Sequence, residues 1–191
     1  MTLVDFIAST DRQGRLMLAY AQGDAAAFEE LYAHYRAPMY RFFARQCGSR
    51  AKAEELYQEL WMRVIQHRAS YRHDARFSTW LYRIAHNLLV DQHRRREPDG
   101  RDDGLDDIEA EADADPAQQY IAEESLARFT ALLDALPDEQ RRVFLLKEEA
   151  GLSLEEIAQV TGAGFESVKS RLRYAVMKLR QALTDVQERV G

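Results

Sequence analysis

The chain has 191 residues, 26 Lys and Arg against 32 Asp and Glu for a formal net charge of −6, and a single cysteine. That length accommodates one ordinary domain or two small ones. The lone Cys47 excludes a disulfide framework or a thiolate metal cluster, and no apolar run approaches the roughly 20 residues that a bilayer span needs. Met1 to Ala8 is too short and too acidic for a signal peptide, so the expected compartment is the cytoplasm, without membrane insertion.

The acidity of the whole chain points away from nucleic acid, but it is unevenly distributed. Residues 1–96 carry 15 basic against 10 acidic side chains, residues 97–119 carry 1 against 10, and residues 120–191 carry 10 against 12. Two ordered pieces joined by a strongly acidic tether account for this pattern. In the first piece Phe28, Leu31, Tyr32, Tyr35, Met39 and Phe42 follow a helical rhythm, as do Leu56, Leu60 and Val64, and then Leu81, Ala85 and Leu88. No strand-like alternation of useful length appears, so the expected fold class is all-α. Pro38 should end or bend the first of these helices. Ser49 starts the next, running to about His67, and Ser78 or Thr79 starts the one after.

Between those last two helices the segment from His67 to Phe77 mixes cationic groups, among them Arg72 and Arg76, with the aromatics Tyr71 and Phe77. That composition suits a surface that holds phosphates and stacks exposed bases; it equally suits a solvated loop pinned by Phe77. On the following helix Trp80, Arg83, Asn87, Asp91 and Arg94 fall within an arc of about 80°, away from Leu81, Ala85 and Leu88. An aromatic wedge, an amide able to read base edges and guanidinium groups continuing through Arg95 form a nucleic-acid stripe. The competing reading keeps Trp80 in the core and the arginines as a solvated helix end favoured by the dipole.

The tether, residues 97–119, has only Leu105 and Ile108 as sizeable apolar groups and is expected to be a flexible linker, because it buries too little surface to offset its ordering entropy. From Tyr120 onward Ile121, Leu126, Phe129, Leu132 and Leu133 outline one amphipathic helix. Leu136-Pro137-Asp138-Glu139 starts another, which carries Val143, Phe144 and Leu146 and stops at Gly151. Ser153 and Glu156 form a capping box before Ile157, Ala158 and Val160, and Gly162 occupies a tight turn that requires positive φ. The last helix has Val168, Leu172, Val176 and Leu179 as its core stripe, and between Phe165 and Arg180 it holds 5 basic residues against 1 acidic. A helix-turn-helix with a basic second helix suits the major groove.

Taken together, these residues resemble a bacterial extracytoplasmic-function (group 4) sigma factor of the sigma-70 family, over roughly residues 20–185. The resemblance is carried by Gly23-Asp24 before Ala27-Phe28-Glu29-Glu30-Leu31-Tyr32, by Ala53-Glu54-Glu55-Leu56-Tyr57-Gln58-Glu59, and by the run from Phe77-Ser78-Thr79-Trp80 to Asn87 and Asp91. Leu136-Pro137 and Val168-Lys169-Ser170-Arg171-Leu172 carry it in the second half. It implies a σ2-like helical bundle over 1–96, which docks on core polymerase and opens the −10 element, and a σ4-like helix-turn-helix domain over 120–191 that reads the −35 duplex. The implied −10 residues are Tyr71, Arg76, Trp80, Arg83, Asn87, Asp91, Arg94 and Arg95. Ser167, Lys169, Ser170, Arg171 and Arg173 are the implied −35 residues; Gly164 and Phe165 depart from the usual pattern at the start of the recognition helix, and Phe165 is expected to meet a thymine methyl instead. Glu54, Glu55, Gln58 and Glu59 would dock on the polymerase β′ clamp; Glu55 stands where many members have Asp.

The implied partners are core RNA polymerase through its β′ clamp and β flap, promoter DNA, and an anti-sigma factor. Ten carboxylates in the linker would mimic a polyanion near the polymerase cleft. The main alternative is a stand-alone helix-turn-helix regulator acting as a dimer, which needs neither the Trp80–Arg94 stripe nor the Glu54–Glu59 face. A di-metal carboxylate bundle is disfavoured because none of His34, His67, His73, His86 and His93 has Glu three residues before it. No nucleophile–base set, phosphate-binding glycine loop or zinc spacing appears, so neither enzymatic activity nor a cofactor is expected.

Overall fold

The computed structural model describes residues 11–96 and 129–190, with the side chains of 95, 96 and 185–190 excepted. The linker expected over 97–119 and the helix start expected near Tyr120 lie outside them. Among the described residues every regular element is helical: α1 (Arg12–Ala21), α2 (Ala25–Cys47), α3 (Arg50–Gln66), a single 3₁₀ turn (Arg68–Ser70) and α4 (Phe77–Arg96). After a helical stretch at residues 129–134 come α5 (Asp138–Glu148), α6 (Leu154–Thr161) and α7 (Phe165–Val190).

The first four helices pack through their apolar stripes, α2 against α1 and α3, and α3 against α4. Met17, Leu31, Met39, Phe42, Phe43, Leu60, Phe77 and Leu81 are fully buried there, and Cys47 is an ordinary small core residue. Asp24 starts α2 as its N-cap, accepting from the Ala27 N–H at 3.3 Å. The end or bend expected at Pro38 is corrected in part: α2 continues through it to Cys47. Proline removes one N–H and crowds the carbonyl of His34, but His34 is exposed, so water can serve that carbonyl, while Leu31 and Tyr35 before the proline and Met39 and Phe42 after it are all buried. Packing on both sides outweighs the local penalty.

α3 begins after Ser49 and ends at Gln66, close to expectation, whereas α4 begins at Phe77 rather than at Ser78 or Thr79. The reason is tertiary. The Asp11 carboxylate, 66 residues away in sequence, accepts the Phe77 backbone N–H at 2.7 Å and satisfies one of the helix's N-terminal donors.

In the second set α5 and α6 pack on α7. The core stripe of α7 runs through Val168, Ala175 and Leu179; Leu172 and Val176, expected in it, are half-buried. The two sets also meet, α4 lying against α6 and α2 against α5, so that the buried apolar residues form one continuous cluster. Polar contacts line this seam. Thr79 Oγ1 donates to Glu156 Oε1 at 3.1 Å, Arg45 pairs with Glu149, and His93 Nδ1 lies 3.8 Å from Asp138 Oδ2.

Candidate nucleic-acid and polymerase interfaces

Two consecutive turns of α4 bury Leu81, Ala85, Leu88 and Leu89, and helical geometry then turns Arg83, Asn87 and Arg94 outward, where all three are exposed. Trp80 is half-buried at the head of this row. Its ring centroid is 5.1 Å from that of Tyr71, edge-on, and 5.7 Å from that of Phe77. One side of the indole is thus braced and the remainder reaches solvent, an arrangement suited to stacking an unpaired base without rotamer search. Asp91 is half-buried with a carboxylate oxygen 4.0 Å from Arg63, which limits its repulsion of a phosphate chain.

Not every residue expected on this surface belongs to it. Tyr71 is a correction: it is 6 % exposed, packed between His73, Phe77 and Trp80, and offers no free face to a base. It braces the tryptophan instead. Arg76 is exposed but leans across the seam, with Nε 3.9 Å from Glu156 Oε1. The Arg95 side chain lies outside the described residues.

On α3 all of Glu54, Glu55, Gln58 and Glu59 are exposed. Three intrahelical pairs neutralise the acids: Arg50–Glu54 at 3.1 Å, Lys52–Glu55 at 3.1 Å and Arg63–Glu59 at 2.9 Å. Exposed pairs of this kind contribute only about 0.3–0.5 kcal/mol each, so a partner's cation can displace them cheaply. Met62, absent from the sequence reading, is 51 % exposed. At 100° per residue it falls near the middle of the roughly 140° arc spanned by these four residues, an apolar centre within a polar rim. Its signal was present in the sequence as an apolar residue off the core stripe of α3.

The helix-turn-helix is built as its motif requires. Ser153 Oγ accepts from the Glu156 N–H at 3.1 Å while Glu156 Oε2 accepts from the Ser153 N–H at 2.8 Å, and Gly162 ends α6 with φ 68°. Glycine tolerates that left-handed conformation without steric cost. The Gly164 carbonyl then accepts from the Ser167 and Val168 N–H groups, each at 3.0 Å, opening α7. Phe165, Ser167, Lys169 and Arg173 are exposed and Ser170 is half-buried. Arg171 is half-buried and turned back to Glu139 at 2.5 Å, so it braces α7 on α5 instead of facing outward in this arrangement. Lys169, Leu172, Arg173, Val176, Met177 and Arg180 line an open, largely apolar groove of about 500 Å³.

Residues 31–98 match sigma-70 region 2, and residues 126–179 match sigma-70 region 4. The ECF RNA polymerase sigma factor SigE of Mycolicibacterium smegmatis is 33% identical over 185 residues, covering 94% of this chain and 71% of the relative. SigW of Bacillus subtilis, another ECF RNA polymerase sigma factor, is 31% identical over 175 residues, covering 86% of this chain and 93% of the relative. The chain belongs to the ECF sigma factors. This sigma factor is therefore a transcription initiation factor and not an enzyme.

Two solved structures share its fold. CnrH in complex with the cytosolic domain of CnrY superposes with a TM-score of 0.69 at 24% identity, covering 91% of this chain and 97% of that one. The Bartonella quintana sigma factor RpoE, in complex with the anti-sigma factor NepR, gives 0.69 at 23% identity, covering 82% and 96%. In the sigma factor described here, no group of His, Cys, Asp and Glu among the described residues is arranged to hold a metal ion, and no described helix is long and apolar enough to cross a membrane.

Proposed function

We propose that this ECF sigma factor is of group 4 and that it divides promoter recognition between its two helical sets: residues 1–96 as σ2, 97–119 as linker and 120–191 as σ4. α4 captures the opened −10 strand through Trp80, Arg83, Asn87 and Arg94, with Asp91 at the edge of the row. α7 reads the −35 duplex through Phe165, Ser167, Lys169, Ser170 and Arg173, and Arg171 joins them once released from Glu139. The acidic face of α3 docks on the β′ clamp, and the second helical set also meets the β flap. Work on the chromosome places the protein in the cytoplasm.

The observation that carries this reading is the exposed Arg83–Asn87–Arg94 row headed by a braced tryptophan. A duplex-binding regulator needs no such surface. An anti-sigma factor fits as a further partner, because the solved relatives of this fold were captured with CnrY and NepR.

Gel-shift and permanganate footprinting, with and without core polymerase, on a promoter located by transcription-start mapping test the proposal. Strand opening only in the presence of core is the expected result. Tight sequence-specific binding by the isolated chain, with no opening, would overturn it in favour of the dimeric regulator.

A further inference from the structure

Asp11 stands immediately before α1 in the position of an N-cap, yet its side chain makes no bond to that helix. Its Oδ2 instead accepts the Phe77 N–H at 2.7 Å and lies 3.1 Å from His73 Nε2. The Asp11 and His73 side chains are 6 % and 9 % exposed, so this is a buried junction between α1, the 71–77 loop and the first turn of α4. Gly14 completes it. A Cβ at that position would sit 2.2 Å from His73 Nε2 and 2.6 Å from Asp11 Oδ2, distances no side chain can accept. Glycine is a poor helix former, and here the approach of the imidazole requires it.

The junction reaches the proposed strand-capture surface within two contacts. Phe77, whose N–H is held, lies 5.7 Å from Trp80 between ring centroids, and Tyr71, two residues before His73, lies 5.1 Å from Trp80. Tyr35 and Tyr71 both pack on the Phe77 ring, at 5.3 and 6.1 Å between centroids, and burial first, then the Asp11 charge, push both hydroxyls upward in pKa.

We propose that Asp11, Gly14 and His73 form a clamp that positions the 71–77 loop and the N-terminus of α4, and so presets Trp80 for an unpaired base. These are positioning residues, and none of them touches DNA. The clamp rests on the reading of α4 as the −10 surface.

The test uses the full chain bound to core polymerase. The probe is a single-stranded non-template oligonucleotide spanning the −10 element of a mapped promoter, and Arg83→Ala and Asn87→Ala serve as controls. Asp11→Ala and Gly14→Ala should each weaken capture by about tenfold, comparable to losing one stacked base, with affinity for core and for −35 duplex unchanged. Asp11→Asn keeps an acceptor oxygen for both donors and should stay within about threefold of wild type. Amide exchange at Phe77 should accelerate in Asp11→Ala. Gly14→Ala raises the intrinsic helix propensity of α1, so a role confined to that helix predicts no loss from it.

If the two controls bind the strand as wild type does, the reading of α4 falls and the clamp falls with it. If the controls weaken but Asp11→Ala and Gly14→Ala do not, only the clamp is overturned. Loss of core and duplex binding in the same proportion as strand binding would likewise assign Asp11 to folding alone.

Discussion

Asn87 and Trp80 sit on one face of α4 but differ in what surrounds them, and that difference separates binding from stability. Asn87 is exposed, so Asn87→Ala should change folding stability by no more than about 0.5 kcal/mol while weakening strand capture; thermal melting beside a strand-binding titration checks both. Trp80→Ala should lose capture and stability together, because its ring packs on Tyr71 and Phe77. His86, on the buried side of the same helix, is a third case. Burial, and secondarily the Arg142 charge, push its imidazole down to about 4. It is therefore neutral when folded, and between pH 6.5 and about 4 the unfolded chain binds a proton that the folded chain refuses. Stability falls across that window as pH falls. The difference in urea midpoint between wild type and His86→Gln should be constant above the window and drift against wild type within it. The row Arg83, Asn87 and Arg94 was legible in sequence because angular position on a helix depends on spacing alone. Tyr71 was not, because a loop has no period and the same composition serves a surface or a core.

α6 shows an element whose start is local, and α4 one whose start is not. Ser153 and Glu156 lie three residues apart and satisfy each other's backbone donors, so Ser153→Ala should cost about 1 kcal/mol, read from urea unfolding. The first turn of α4 depends on Asp11, which no window of local sequence would connect to Phe77. α2 makes the same point in reverse, since the local veto of Pro38 is overruled by the buried residues around it. On α3, Met62→Glu should weaken core binding by about tenfold with little change in melting temperature, because the side chain is half out in solvent. Loss of melting temperature in parallel with binding would instead place Met62 in the fold.

At the scale of the molecule the two helical sets close on each other through Thr79–Glu156, Arg45–Glu149 and His93–Asp138, with Arg45 also 5.4 Å from the Phe129 ring centroid. Glu156 is shared: one oxygen completes the α6 capping box and the other accepts from Thr79 of α4. Arg45→Glu places two like charges at the seam and should raise the radius of gyration in small-angle scattering. The double reversal Arg45→Glu with Glu149→Arg should restore it, a recovery that a general loss of stability would not give. By itself the sequence determined the helical rhythm of α2 to α4 and of α5 to α7, the helix-turn-helix with its cap and turn and the ordered motifs of an ECF sigma factor, because periodicity and capping are properties of neighbours along the chain; α1 was not among the elements it indicated. Only the tertiary structure decided that Tyr71 is a brace, that Arg171 turns back to Glu139, that Asp11 caps a helix 66 residues away and that α4 meets α6. Each of those depends on which distant groups burial brings within hydrogen-bonding reach, and spacing along the chain does not encode that distance.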